Sequence, residues 1–287
     1  MARRQRDDAK KSGETVALSQ REERDVARRL PPTAAVVFET IRREGEHELD
    51  RPVLSLAASG LAAGLSMGFS LVAAGVARSM LPAAPWRPLI ENLGYTVGFL
   101  IVVMGRQQLF TENTLTAILP LLDDPDKRSA FIRVARLWTI VLLANLAGAM
   151  IFAWAVSHPG IFPSNAYPAF AELAHEAARP SFGQILERGV FAGWLIALMV
   201  WLMPAADSQR PAIIVILTYI VGVAGLSHVI AGTVDVFYLV AIGQLSFAAY
   251  LGGFLLPVFL GNCIGGVSLV ALLNYGQVVS EGQDDRK

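Results

Sequence analysis

Two apolar runs in this chain are each too long to cross a bilayer once and too short to cross it twice, and polar residues cut both near the middle. Leu93 to Leu122 is thirty residues long and is interrupted by "GRQQLFTENT", Gly105 to Thr114. Pro211 to Leu245 is interrupted by "GLSHVIAGTVDVF", Gly225 to Phe237. About 20 apolar residues suffice for one helical crossing. Backbone that leaves the helix at membrane depth is tolerated only where protein buries it or where it lines a cavity. Each run is therefore expected to be one discontinuous helix, and the two polar breaks are expected to face a common path.

The rest of the chain supports a polytopic membrane protein. Hydrophobic residues make up 54% of it and mean hydropathy is +0.48, more apolar than a soluble domain of this length. The charge lies largely at the ends, with 12 of the 24 Lys and Arg in the first 51 residues. The other expected spans are Pro52–Leu81, Arg136–Val156, Phe182–Met203 and Leu251–Val279. Residues 1–31 are polar and expected to be a disordered tail. Residues 32–50 suit an amphipathic surface helix, residues 51–279 form the six-span domain, and residues 280–287 form a second tail. With the N-terminus inside, nineteen of the 24 cations fall on inner segments and four on outer ones, so both termini are expected in the cytoplasm and the chain in the inner (plasma) membrane. The basic run Arg3 to Lys11 is expected to be a solvated cytoplasmic tail rather than a specific binding patch, and no nucleic-acid partner is expected.

An internal repeat fits the two breaks. Span one carries "GLAAG" (Gly60–Gly64) and span four "GVFAG" (Gly189–Gly193). Span three carries "ANLAG" (Ala144–Gly148) and span six "GNCIG" (Gly261–Gly265). A three-span unit repeated in tandem must stand upside down relative to its copy, which puts the substrate path at the midplane. The expected fold is all-α, two inverted three-helix repeats with helices two and five broken.

The breaks hold the candidate site residues. His228 reads either as a packing histidine bonded to a carbonyl or as a pore donor, able to pass a proton or a hydrogen bond to a weak-acid anion. Thr111 reads either as a hydroxyl that satisfies freed backbone or as a group facing His228 across the pore. Leu109 and Phe110 are candidates for an apolar constriction. Asn262 is either an interhelical hydrogen bond or pore-facing, and Asn145 is structural. Arg106, Glu112 and Asp235 need partners inside the membrane, and Arg106 is expected to pair with one of the two acids. No nucleophile–base pair, cofactor motif or metal cluster stands out, so neither an enzyme nor a cofactor is expected.

"LFTENT", "SHVIAG" and "GNCIGG" in this order resemble the formate/nitrite transporter family over about Thr33 to Val279. The resemblance implies an aquaporin-like homopentamer with one pore per protomer. Leu109, Phe110, Thr111 and His228 would flank the pore midpoint, Asn262 would sit in the sixth span, and a small anion and protons would be the cargo. Departures from the family pattern fall at Gln108 and Ser227, where acids are common, and at Gly232, where asparagine is usual. At about Ala177, with Arg179 nearby, the family has a vestibule lysine. Charges at Arg106 and Glu112 are unusual in that loop. A closed-pore membrane protein with a structural or stress-related role and a neutral-solute channel are the competing readings.

Overall fold

The computed structural model describes residues 18–271 together with 273, 276 and 277. It divides into two units, residues 1–33 and residues 34–287. In the first, α1 (Gln20–Arg29) is a polar helix started by a capping box, in which Ser19 accepts from the Glu22 backbone and the Glu22 carboxylate accepts from Ser19. That reciprocal cap gives a local start signal to a segment expected to lack structure. The rest of the expected N-terminal tail, residues 1–17, and the expected tail 280–287 lie outside the described residues.

The second unit opens with α2 (Ala34–Leu49), the expected surface helix, which buries Val37, Phe38, Ile41 and Leu49. On its outer side Arg42 and Arg43 donate to Glu39 and hold that carboxyl down at about 2. Then come α3 (Val53–Met80), α4 (Arg87–Met104), α5 (Phe110–Thr116), α6 (Ile118–Asp123) and α7 (Lys127–Val156). After them stand α8 (Ala166–Ala178), α9 (Phe182–Leu202), α10 (Arg210–Val223) and α11 (Val229–Ala241). The last helix, α12 (Leu256–Cys263), has π-helical turns before it (Tyr250–Leu255) and after it (Ile264–Ala271). Pro257 cannot donate to the preceding turn, consistent with the widened turns on that side.

Among the described residues, five helices are long and apolar enough to cross a membrane, and α10 and α11 are shorter apolar helices. Both expected breaks are present, at residues 105–109 and 224–228. The first broken element starts six residues earlier than expected, because Trp86 begins a helix with Pro88 in its first turn, where a proline costs no hydrogen bond. Helix α8 was not expected. Its Phe170 packs where Gly75 has no side chain, and Glu176 reaches Arg78 on α3, so tertiary contacts hold a segment that looks like a loop.

The small residues of the repeat do one job twice. A Cβ on Gly64 would run into the Asn145 carbonyl, and one on Gly148 into the Leu61 carbonyl, so α3 and α7 touch backbone to backbone. In the second half a Cβ on Gly193 would strike the Asn262 carbonyl, and one on Gly265 the Val190 carbonyl. Helices α4 and α10 also lie together, with Tyr219 donating to the Leu89 carbonyl at 2.7 Å. They run in opposite directions: the start of α4 (Arg87) and the end of α10 (Gly222, Val223) line one cavity. The end of α4 (Val103, Met104) and the start of α10 (Arg210) line the other. The two halves are thus inverted copies.

Because these contacts leave no room for a methyl group, Gly64→Val and Gly193→Val are each expected to destabilise the protein by about 1–3 kcal/mol or more. Gly183→Ala, with nothing within 4 Å, is expected to be silent. Thermal unfolding in detergent checks this.

Candidate functional site: two broken helices and a buried Thr–His contact

The two breaks match bond for bond. In the first, Gly105 N donates to Ile101 O, Arg106 N to Val103 O and Gln107 N to Val102 O. In the second, Ala224 N donates to Ile220 O, Gly225 N to Gly222 O and Leu226 N to Val221 O. The chain then turns through a left-handed residue, Arg106 at φ 51° or Gly225 at φ 61°, and extends to Leu109 or His228 at the start of the next helix. Glycine takes this conformation at no steric cost, whereas an arginine pays roughly 1–2 kcal/mol.

One asparagine secures each break. The buried Asn145 accepts from Phe110 N at 2.8 Å and donates to the carbonyls of Gly60 at 2.7 Å and Gln108 at 2.8 Å. Asn262 accepts from Val229 N at 2.9 Å and donates to Gly189 O and Ser227 O, both at 2.9 Å. Either amide thus satisfies a backbone donor and acceptor of the break while tying it to the neighbouring helix. Asn262 has no exposed surface and lines neither of these two cavities, and its three bonds make it an interhelical tie. It and Asn145 are counterparts.

Thr111 and His228 meet between the two cavities, with Thr111 Oγ1 and His228 Nε2 2.8 Å apart and both residues buried. His228 also caps its own helix: Nδ1 accepts from the backbone of Ile230 at 3.3 Å and Ala231 at 3.2 Å. With Nδ1 an acceptor, the proton of the neutral ring belongs on Nε2, which donates to the threonine oxygen. The ring stands edge-on to Phe99 at 5.0 Å. Leu109 is buried and occupies the place in the first break that His228 has in the second. Phe110 lies against Trp138 and Phe259, each ring centre 5.5 Å away, which makes it a packing residue between helices.

A cavity of about 380 Å³ opens on the α8 side and reaches His228, Ser227 and Asp235. Its buried Arg78 donates to Glu91 at 2.6 and 2.9 Å and to Glu176 at 2.8 and 3.0 Å. Ala177 lines this cavity, and so does Arg188, which makes no ion pair among the described residues. Phe254 also lines it, and its ring tip fills the space that a side chain at Gly232 would need. A second cavity, about 720 Å³, opens on the α2 side and is lined by Gln108, Glu112 and Asn113.

Within one protomer, Arg106 makes no ion pair with Glu112 or Asp235 among the described residues. The Arg106 side chain is 80% exposed and reaches Glu44 on α2 at 3.8 Å, because its left-handed backbone stands at the loop corner. Glu112 lines the same α2-side cavity, whereas Asp235 lines the opposite one. Sequence reasoning also missed the Arg78–Glu91–Glu176 cluster, Phe99 and Phe254. Their partners lie far apart along the chain, so no local spacing signals them.

A membrane fold of inverted repeats, with paired helix breaks and a buried polar contact between two cavities, defines a channel-like transporter architecture. The formate/nitrite transporter family model matches residues 35–276, and the chain belongs to that family, one of transporters and not enzymes. It is 39% identical over 259 residues to the Escherichia coli (strain K12) inner membrane protein YfdC, covering 90% of this chain and 83% of that one. It is 27% identical over 191 residues to the Bacillus thuringiensis formate channel BtFdhC, covering 64% and 72%. Among solved structures it resembles a pentameric formate channel with formate bound (TM-score 0.68, 20% identity, 79% of this chain and 98% of that one). It also resembles an FNT family ion channel (TM-score 0.73, 18% identity, 84% and 98%). These two likenesses concern the fold.

Asn145→Ala and Asn262→Ala each orphan two buried backbone groups of a break, Phe110 N and Gln108 O or Val229 N and Ser227 O, at about 1–3 kcal/mol per group. Both are expected to destabilise by at least about 2 kcal/mol and by similar amounts, measured by equilibrium unfolding in micelles.

Proposed function

We propose that this protein is a channel-like transporter of a small monovalent weak-acid anion, formate- or nitrite-like, moving across the inner membrane with a proton. We infer a homopentamer with one pore per protomer, six crossings and both termini cytoplasmic, so that the α8-side cavity faces outward and the α2-side cavity inward. Family membership supports the cargo class. The observation that carries the reading is the Thr111–His228 contact, the polar pair standing between the two cavities.

An anion reaching the α8-side cavity meets Arg188, whose charge no carboxylate neutralises among the described residues. It then meets the Nε2–H of His228, which can turn from Thr111 to a carboxylate oxygen. The geometry favours a hydrogen bond over outright proton donation from this ring. Giving up the Nε2 proton would leave an imidazolate, and a second proton on Nδ1 would face two backbone N–H groups that already point at it. The proton that neutralises the anion then arrives with the acid or through cavity water, and the neutral species passes the dry waist beside Leu109 and Phe99. The burial of both Thr111 and His228 supports the alternative of a closed pore.

Liposomes containing the protein are expected to show formate, acetate, lactate or nitrite flux that increases with acidity. Thr111→Ala and His228→Asn are expected to lower it about tenfold, the worth of one hydrogen bond of about 1.4 kcal/mol. Equal flux in the variants would remove the pair from the pathway, and no flux of any solute would favour the closed pore.

A further inference from the structure

The α2-side cavity holds a carboxylate that the transport reading leaves unused. Glu112 follows Thr111 directly on α5, and its Oε1 is buried without a hydrogen-bond partner. The Oε1 of Gln107, lining the same cavity, is a second buried acceptor without a donor. Lone buried acceptors of this kind cost about 1–3 kcal/mol each, and more when charged.

The charged groups around Glu112 do not relieve it. From α2, Glu44 is engaged with Arg106 at 3.8 Å, and Glu48 with Arg51 at 2.8 Å and with His47 at 3.8 Å. Arg210, at the start of α10, lines the cavity but comes no nearer than the 4.0 Å of an ion pair. Helix α9 contributes Met199 and Val200, and the following turn Met203 and Pro204. Glu44 and Glu48, engaged with their own partners, and an apolar wall therefore face Glu112, and the cavity's arginines make no ion pair with it among the described residues. The equivalent position in the second break is Ala231, so this group belongs to one cavity alone.

We propose that Glu112 is the proton-exchanging group of the α2-side cavity, accepting the acidic proton of a weak acid that has passed Thr111 and His228. The step balances: the O–H bond of the acid breaks, a new O–H bond forms on Glu112 Oε1, the anion leaves into the cavity, and the proton follows to water. In reverse, protonated Glu112 neutralises an outgoing anion. Gln107 Oε1 accepts from the acid O–H and positions it. The proposal rests on the transport reading, and it supplies the proton acceptor that the committed Nδ1 of His228 cannot.

The test uses full-length protein in liposomes, with formate as cargo, a lumenal pH dye and a formate assay, for wild type, Glu112→Gln and Glu112→Asp. The same samples give infrared difference spectra on acidification. The expected result is a carboxylic C=O band that Glu112→Gln lacks and Glu112→Asp shifts. Flux in Glu112→Gln should lose its dependence on α2-side pH, and Glu112→Asp should keep it. A Glu112→Gln variant with the wild-type pH profile and proton uptake overturns the proposal while transport stands. If wild type moves no formate, the transport reading fails by itself. In that case absence of the band overturns the assignment of Glu112 as a proton site, and presence upholds it. Should Glu112→Gln fail to fold, the band shift in Glu112→Asp decides.

Discussion

Everything else in this structure depends on how the two breaks satisfy their backbone in a place without water. A helix interrupted at membrane depth exposes N–H and C=O groups that lipid cannot bond. Each break answers with one asparagine from a neighbouring helix, which accepts from the first N–H of the second half-helix and donates to a carbonyl of the loop. An amide does both and has a second donor left for the neighbouring helix, which a hydroxyl lacks. It reaches only if the supporting helices approach backbone to backbone, so Gly60, Gly64 and Gly148, and again Gly189, Gly193 and Gly265, are demanded by the same two bonds.

Once both breaks are held this way, the conformation is fixed and the chemistry is free to differ. Leu109 and His228 occupy one position of the repeat, as do Arg106 and Gly225, Gln108 and Ser227, and Glu112 and Ala231. The clamp bonds run between main chain and the asparagine amides, with Ser59 Oγ accepting from Gln108 N in the first break, so none of these exchanges removes a clamp partner. That leaves the imidazole on one side of the waist and the unpaired carboxylate on the other, a polarity that an inverted repeat with identical halves would lack. Gly232 follows the same logic: the space there is given to Phe254, a ring from α12, without touching the clamp.

The paired breaks, the glycine spacing and the small-Asn-x-x-Gly match were legible in the sequence because each is local and periodic. The contact between the two breaks was legible too, since the inverted order of repeats aims Thr111 and His228 at one midplane. The equivalence of Asn145 and Asn262 was half visible: the motif was seen, but the two residues were assigned different roles, because a motif does not say which way an amide points. Arg106 shows a different limit. Hydropathy placed it at membrane depth, whereas the left-handed turn swings it out toward Glu44. Helix α8 and the Arg78 cluster could not be seen at all, since Arg78 and Glu176 are 98 residues apart.

That cluster bears on what the α8-side cavity would offer an anion in the proposed transport. A guanidinium that is 5% exposed and held by two bidentate carboxylates is a structural tie between α3, α4 and α8, with its donors spent on its partners. Removing Glu91 or Glu176 would leave an uncompensated charge, so the cluster persists as a unit and contributes little attraction. Arg87 adds a second cation near Glu91 at 3.6 Å and is likewise committed. The cavity cation left without an ion pair among the described residues is Arg188, on the helix whose Gly189 and Gly193 receive the Asn262 clamp. In the proposed transport, the arginine that meets the anion and the amide that holds the histidine loop are therefore tied to one helix. A shift of α9 would move both together, so capture and waist geometry are mechanically coupled within a single protomer.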